Sequence, residues 1–189
     1  STARGMAPAA VVHSYDWNND TAEMISRGAA APNEANAIYL SNHSYNFITG
    51  WNYVNDGTKV WEWYGNGTGS TSFEEDFGRY NSFSSGQDSI AYDAPYYLIF
   101  RSAGNERTDN PGNGQAVTLS PGSQLVYTYD ASTFPAGDGN YRNGFETIGF
   151  AALAKNVMTV GAVNDAVTGG QRDISKASIS TFSSWGADG

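Results

Sequence analysis

Ser102-Ala103-Gly104-Asn105 closes a short, almost continuously apolar run, Tyr96-Tyr97-Leu98-Ile99-Phe100, with small residues and then a carboxamide. A strand buried on both faces of a parallel sheet ends in this way. In open α/β sheets the ligand crevice lies beyond the carboxyl ends of the strands, so these four residues fall where chemistry or binding is expected. Taken alone, Asn105 reads first as a turn residue after a glycine. A second set of oxygen-bearing groups, Asp130, Asp138, Asn140 and Glu146, lies in a polar stretch and could ligate calcium. Its spacing is not that of an EF-hand, so solvated loop acids are the expected reading. The two histidines are His13, inside a strand pattern, and His43. A lone strand histidine reads as packed or solvent-facing rather than as a base, and no serine, histidine and acid are patterned as a nucleophilic triad.

The elements that position these groups must come from one sizeable core, since 189 residues with 40% hydrophobic content make one domain the natural expectation. The net charge of −9, with no Lys/Arg cluster, repels a phosphate backbone or an anionic membrane surface and argues against nucleic acid as a partner. There is no cysteine, which removes disulfides, thiol catalysis and zinc-thiolate sites together. No apolar run approaches the roughly 18 residues of a membrane span. High Gly, Asn, Ser, Tyr and Trp usage with few Lys suits an extracellular bacterial protein.

In chain order, residues 9–15 are apolar and β-branched and predict a first buried strand. Asp20-Thr21-Ala22-Glu23 has capping-box spacing and predicts a helix to about residue 31, stopped by Pro32-Asn33. Residues 35–45 predict the next strand, completing a parallel crossover unit. Residues 51–64 alternate aromatic and polar positions around Asn55-Asp56-Gly57, the signal of a β-hairpin standing out from the sheet. Ser72-Phe73-Glu74-Glu75 predicts a capped helix to about residue 80. A second helical piece over 87–93 leads through Pro95 into the strand at Tyr96. Residues 106–149 are a long polar loop with one strand at 124–129. Residues 156–163 predict a last buried strand and 178–185 a further extended piece. The expected fold is α/β, a doubly wound parallel sheet with flanking helices, a β-hairpin excursion and a long polar loop.

Five segments, in this order, resemble the subtilisin-like serine peptidases: Arg4-Gly5-Met6-Ala7-Pro8-Ala9-Ala10; Ser41-Asn42-His43-Ser44-Tyr45; Ser102-Ala103-Gly104-Asn105-Glu106; Ala154-Lys155-Asn156-Val157-Met158-Thr159-Val160-Gly161-Ala162-Val163; and Phe182-Ser183-Ser184-Trp185-Gly186. The resemblance covers nearly the whole chain. It implies a peptide-bond hydrolase with an Asp/His/Ser triad and an asparagine that donates to the tetrahedral oxyanion, here Asn105. A side-chain amide held at a rigid strand end can point its N–H at developing negative charge without reorganising. By the same matching, Ser44, Tyr45 and Asn46 line one side of the substrate cleft. Ser102, Ala103 and Gly104 form the floor of the pocket for the side chain before the scissile bond, with the peptide laid between as an added strand. The family usually has glycine where Asn46 stands, which narrows a close backbone approach.

The family's aspartate, histidine and serine segments are absent, so the chain matches the part of a catalytic domain between its histidine and serine regions, residues 1–189. It is expected to be inert alone. The resemblance implies a peptide or protein substrate, the flanking parts of the same domain as partners, and no cofactor for the chemistry, with calcium as a possible structural ion. Two other readings compete. One is a pseudopeptidase that binds peptides without cleaving them. The other is a glycan-binding module with Trp51, Tyr53, Trp61, Trp63 and Tyr64 as an aromatic platform, against which stand the capped helices between buried strands.

Overall fold

The computed structural model describes residues 7–187. It has α/β architecture with a parallel sheet and two helices, as expected. The parallel sheet has three strands in the order β1 (Leu40–His43), β4 (Leu98–Ser102) and β7 (Val157–Val160). Ser41 pairs with Ile99 and His43 with Arg101 across β1 and β4, while Ile99 pairs with Val157 across β4 and β7. Side chains alternate along a strand, so Ser41, His43, Ile99 and Arg101 share one face.

Helices α1 (Asp20–Arg27) and α2 (Ser82–Asp93) cover that face through Met24, Ile90, Ala94, Tyr97 and Ile99. α2 forms where its cap is complete. Asn81 Oδ1 accepts from the N–H groups of Phe83 and Ser84, and Ser84 Oγ accepts from the Asn81 N–H. It starts five residues earlier than the sequence pattern indicated.

The hairpin forms as read: β2 (Trp51–Val54) pairs antiparallel with β3 (Val60–Trp63). It is not an isolated excursion. β5 (Ala116–Thr118) joins β3 in parallel and β6 (Tyr127–Thr128) joins β5, giving a second, four-stranded sheet out of the polar stretch. Its aromatic face makes a second core of Trp51, Trp63, Val117 and Tyr129. A short hairpin, β8 (Val167–Thr168) and β9 (Gln171–Arg172), follows β7.

Several expectations are corrected. Residues 9–15 form no strand. Val11 and Val12 are 83% and 84% exposed, because the run has the composition of a strand but joins no ladder. α1 ends at Arg27, since Gly28 turns the chain to an extended conformation, and its N-cap Asn19 is left-handed with no side-chain cap bond. No helix follows Ser72. Glu74, expected in a first helical turn, is buried and accepts the Gly50 N–H at 2.7 Å and the Asp76 N–H at 3.0 Å. Satisfying a buried backbone donor outweighs a surface cap. β4 is buried on alternate residues rather than on both faces, and β7 is mostly exposed, with Met158 and Val160 each 48% accessible. The first of the five family segments lies partly outside the described residues.

Candidate active site

The carboxyl end of β4 bends where Gly104 adopts φ +103°, a conformation open to glycine. A Cβ there would meet Glu106 Oε2 at 2.6 Å and Ser184 Oγ at 3.0 Å. The bend is laced to the Phe182–Gly186 segment: Ser184 N–H donates to Gly104 O at 3.0 Å, and the Ala162 N–H donates to Ser183 Oγ at 3.0 Å. Glu106 Oε2 accepts from the Asn105 N–H and from Ser184 Oγ. Asn105 then opens a 3-10 turn over Glu106–Thr108, exposed, with its carboxamide making no hydrogen bond to the described residues. A donor left free at a strand end can meet an oxyanion.

Ser102, Gly104 and Asn105 line a pocket of about 150 Å³, and Ser44, Tyr45 and Asn46 form its opposite wall. Six of the seven residues singled out in the sequence thus meet around one cavity. Ala103 is buried, its N–H bonded to Val160 O, and lies outside the lining. Asn46 Oδ1 turns back to accept from the Phe47 N–H at 2.9 Å. Trp51 and Asn52 also line the pocket, so the hairpin begins beside it.

Tyr45 has a second role that the sequence did not signal. Its hydroxyl passes beneath the sheet and donates to Asp20 Oδ2 at 2.8 Å, where Arg101 Nη2 also approaches at 3.5 Å. His43 Nδ1 lies 2.7 Å from the Tyr45 hydroxyl and Nε2 lies 2.8 Å from Ser41 Oγ, which in turn accepts from the Tyr97 hydroxyl at 2.6 Å. With Tyr45 donating to Asp20, one proton arrangement satisfies every group: His43 Nδ1 carries the hydrogen and Nε2 accepts from Ser41. Burial, then the Arg101 charge, holds His43 down to about 4. Burial opposes ionisation of Asp20, but Tyr45, Thr21 and Arg101 together hold its carboxyl below the usual range. Ser41 and His43 are spaced like a nucleophile and base, yet they sit on the helix-covered face and are not in the lining of the pocket with Asn105.

Behind that pocket lie carboxylates. Asp138 is buried and accepts the Trp51 N–H at 2.9 Å. Burial pushes it well up, against the pull of that bond, and Asp109, Glu106 and Glu74 push it further. Burial and then Glu106 raise Asp109 to about 7. A carboxyl raised on folding adds stability that is full below its unfolded pKa and is lost as pH rises through the folded value. His43 carries the opposite sign, and its contribution is lost only as pH falls from about 6.5 through about 4. Between pH 6.5 and 8 Asp109, raised to about 7, therefore decides the slope. The melting temperature is expected to fall over that interval, and less steeply in Asp109→Asn, as read by circular dichroism. Equal slopes in the two proteins would count against the assignment.

The loop groups weighed as calcium ligands are engaged apart from one another. Asp130 is bonded to Ser132, Asp138 lies under Trp51, and Glu146 pairs with Arg142. Among the described residues no three His, Cys, Asp or Glu are placed to hold a metal ion. Of the five hairpin aromatics, Trp51 and Trp63 are 0% and 1% exposed and pack on each other, while Tyr53 is 44% exposed and packs with Trp61. Among the described residues no helix is long and apolar enough to cross a membrane. The lining also holds Phe47, Ile48, Thr49, Asn52, Glu106 and Asp109, to none of which the sequence assigns a role. Only the adjacency of Glu106 to Asn105 could have pointed to them.

A family model described as the subtilase family matches residues 1–188. No curated protein and no solved structure matches the chain.

Proposed function

The chain belongs to the subtilase family, a family of serine peptidases, and on that premise we propose that it is the central part of a secreted endopeptidase's catalytic domain. It contributes the oxyanion donor Asn105 and both walls of the cleft, while nucleophile, base and orienting aspartate come from sequence outside residues 1–189. The observation that supports this reading best is the unpartnered Asn105 carboxamide at the end of β4, facing Ser44–Asn46 across one pocket. A peptide laid along those walls would present its scissile carbonyl oxygen to the Asn105 amide. As the serine adds to the carbonyl carbon, charge collects on that oxygen and the amide bond strengthens. No described residue has to move a proton in that step.

Residues 1–189 are expected to give no covalent adduct with a fluorophosphonate probe, and the protein as encoded in full is expected to give one, located by peptide mass spectrometry. Stoichiometric labelling of the shorter chain, at Ser41 for instance, would overturn the division of labour. A full-length protein that binds peptides but takes no label would establish the alternative, a peptide-binding pseudopeptidase.

A further inference from the structure

The pocket beside Asn105 has an acidic lining that oxyanion chemistry does not use. Ser102, Gly104 and Asn105 form one side, and Glu106, Asp109 and Thr49 close it. Glu106 is already engaged by the Asn105 N–H and Ser184 Oγ, and these bonds hold it in place. Asp109 is different. It is partly buried, the charged neighbour that raises it is another acid, Glu106, and its carboxylate accepts no hydrogen bond from the described residues. Thr49 is 6% exposed, and its Oγ1 is a buried polar atom with no partner in the same lining.

Among the described residues no cation is paired with this carboxylate. Arg107, the nearest in sequence, stacks its guanidinium 3.4 Å from the Trp185 ring centroid and donates to Ser183 O. Asp138 stands next to Asp109 with its carboxyl pushed well up by burial, and it supplies no positive charge. A desolvated carboxylate and a buried hydroxyl without partners are unfavourable as they stand and favour a ligand that supplies both a positive charge and hydrogen-bond donors. Phe47 and Ile48, half exposed at the same pocket, offer apolar surface to an aliphatic stem.

We propose that this pocket takes the cationic side chain of a lysine or arginine of the peptide substrate, with Asp109 as its counter-charge and Thr49 as a hydrogen-bond partner. The proposal rests on the peptidase reading for its substrate and names the class of residue that the cleft selects. A neutral side chain leaves Asp109 and Thr49 unpartnered, and a site with buried polar groups discriminates most strongly against ligands that leave them so. A metal ion is the other cation such charge could attract, but among the described residues no three acids are arranged to hold one.

The test uses the protein as encoded in full and peptide nitroanilides that differ only in arginine, lysine or phenylalanine before the scissile bond. Arginine and lysine are expected to exceed phenylalanine in kcat/KM by about tenfold or more, as a site built for a charge does. Asp109→Asn is expected to shrink the arginine-to-phenylalanine ratio about tenfold, and Asp109→Glu to keep most of it. Hydrolysis with phenylalanine preferred and a ratio untouched by Asp109→Asn would overturn the pocket assignment while leaving the peptidase intact. Arginine preference abolished by EDTA and restored by calcium would overturn it in favour of a metal. With no hydrolysis at all the peptidase reading fails, and an NMR titration with Nα-acetyl-arginine amide decides the pocket. Shifts at Asn105 and Asp109 that vanish in Asp109→Asn support it, and their absence at millimolar probe overturns it.

Discussion

Replacing Asn105 by alanine in the full-length protein is expected to lower kcat roughly 100- to 1,000-fold, a range measured for this donor in the subtilisin family itself, with KM within about threefold of the parent. The carboxamide is exposed and bonded to no described residue, so its removal disturbs little of the fold. On the proposed function, what it removes is a donor whose bond strengthens as the carbonyl oxygen becomes an oxyanion, and an interaction made mainly in the transition state acts on kcat. Steady-state kinetics on a single good peptide substrate checks it. A raised KM at constant kcat would make Asn105 a residue of ground-state binding and would remove the main support for the proposed function.

Replacing Arg101 by methionine is expected to destabilise the fold by about 1.5–3 kcal/mol, the usual worth of a hydrogen bond to a charged group, since the partner left behind, Asp20, is only partly buried. Arg101 is 2% exposed. Its Nε donates to Gln87 Oε1 at 2.7 Å, its Nη2 approaches Asp20, and its guanidinium lies 5.4 Å and 5.5 Å from the Tyr45 and Phe83 ring centroids. The substitution thus breaks the tie between β4 and α2 and leaves the Asp20 carboxylate to Tyr45 and Thr21, with no guanidinium beside it. Urea unfolding monitored by tryptophan fluorescence gives the loss. The double variant with Asp20→Asn is expected to recover part of it, because the stranded charge goes too. Strictly additive losses would show that the pair is not coupled. Tyr45 ends in this network, so loosening it is also expected to loosen the wall of the cleft that faces Asn105.

The elements legible in the sequence are those whose signals are local and unopposed. The hairpin from Trp51 to Trp63 follows from aromatic alternation around a turn. β4 and its bend follow from an apolar run ended by a glycine at φ +103°. α2 is legible only over its C-terminal half, because its cap is Asn81 with Ser84, a weaker written signal than Ser or Asp with Glu. The helix expected after Ser72 fails for a non-local reason. Ser72-x-x-Glu75 has the spacing of a capped helix start, yet in the folded chain Glu74 answers Gly50, while at Asp20-x-x-Glu23 a helix does form with Asp20 answering Tyr45 and Arg101. Those partners lie 24 to 81 residues away, beyond any window of local pattern.

The sequence by itself determined the family and the place of Asn105, since both depend on short runs whose residue types are dictated by backbone geometry. Ordered segments of that kind keep their spelling whatever surrounds them. Only the tertiary structure decided that Tyr45 anchors beneath the sheet, that β3 recruits β5 and β6 into a second sheet, and that residues 9–15 join no ladder. It also decided that Asp109 and Thr49 stand without partners beside Asn105. Burial and the pairing of polar groups are properties of distant segments brought together, and a carboxylate acquires its chemical role from what the fold leaves next to it.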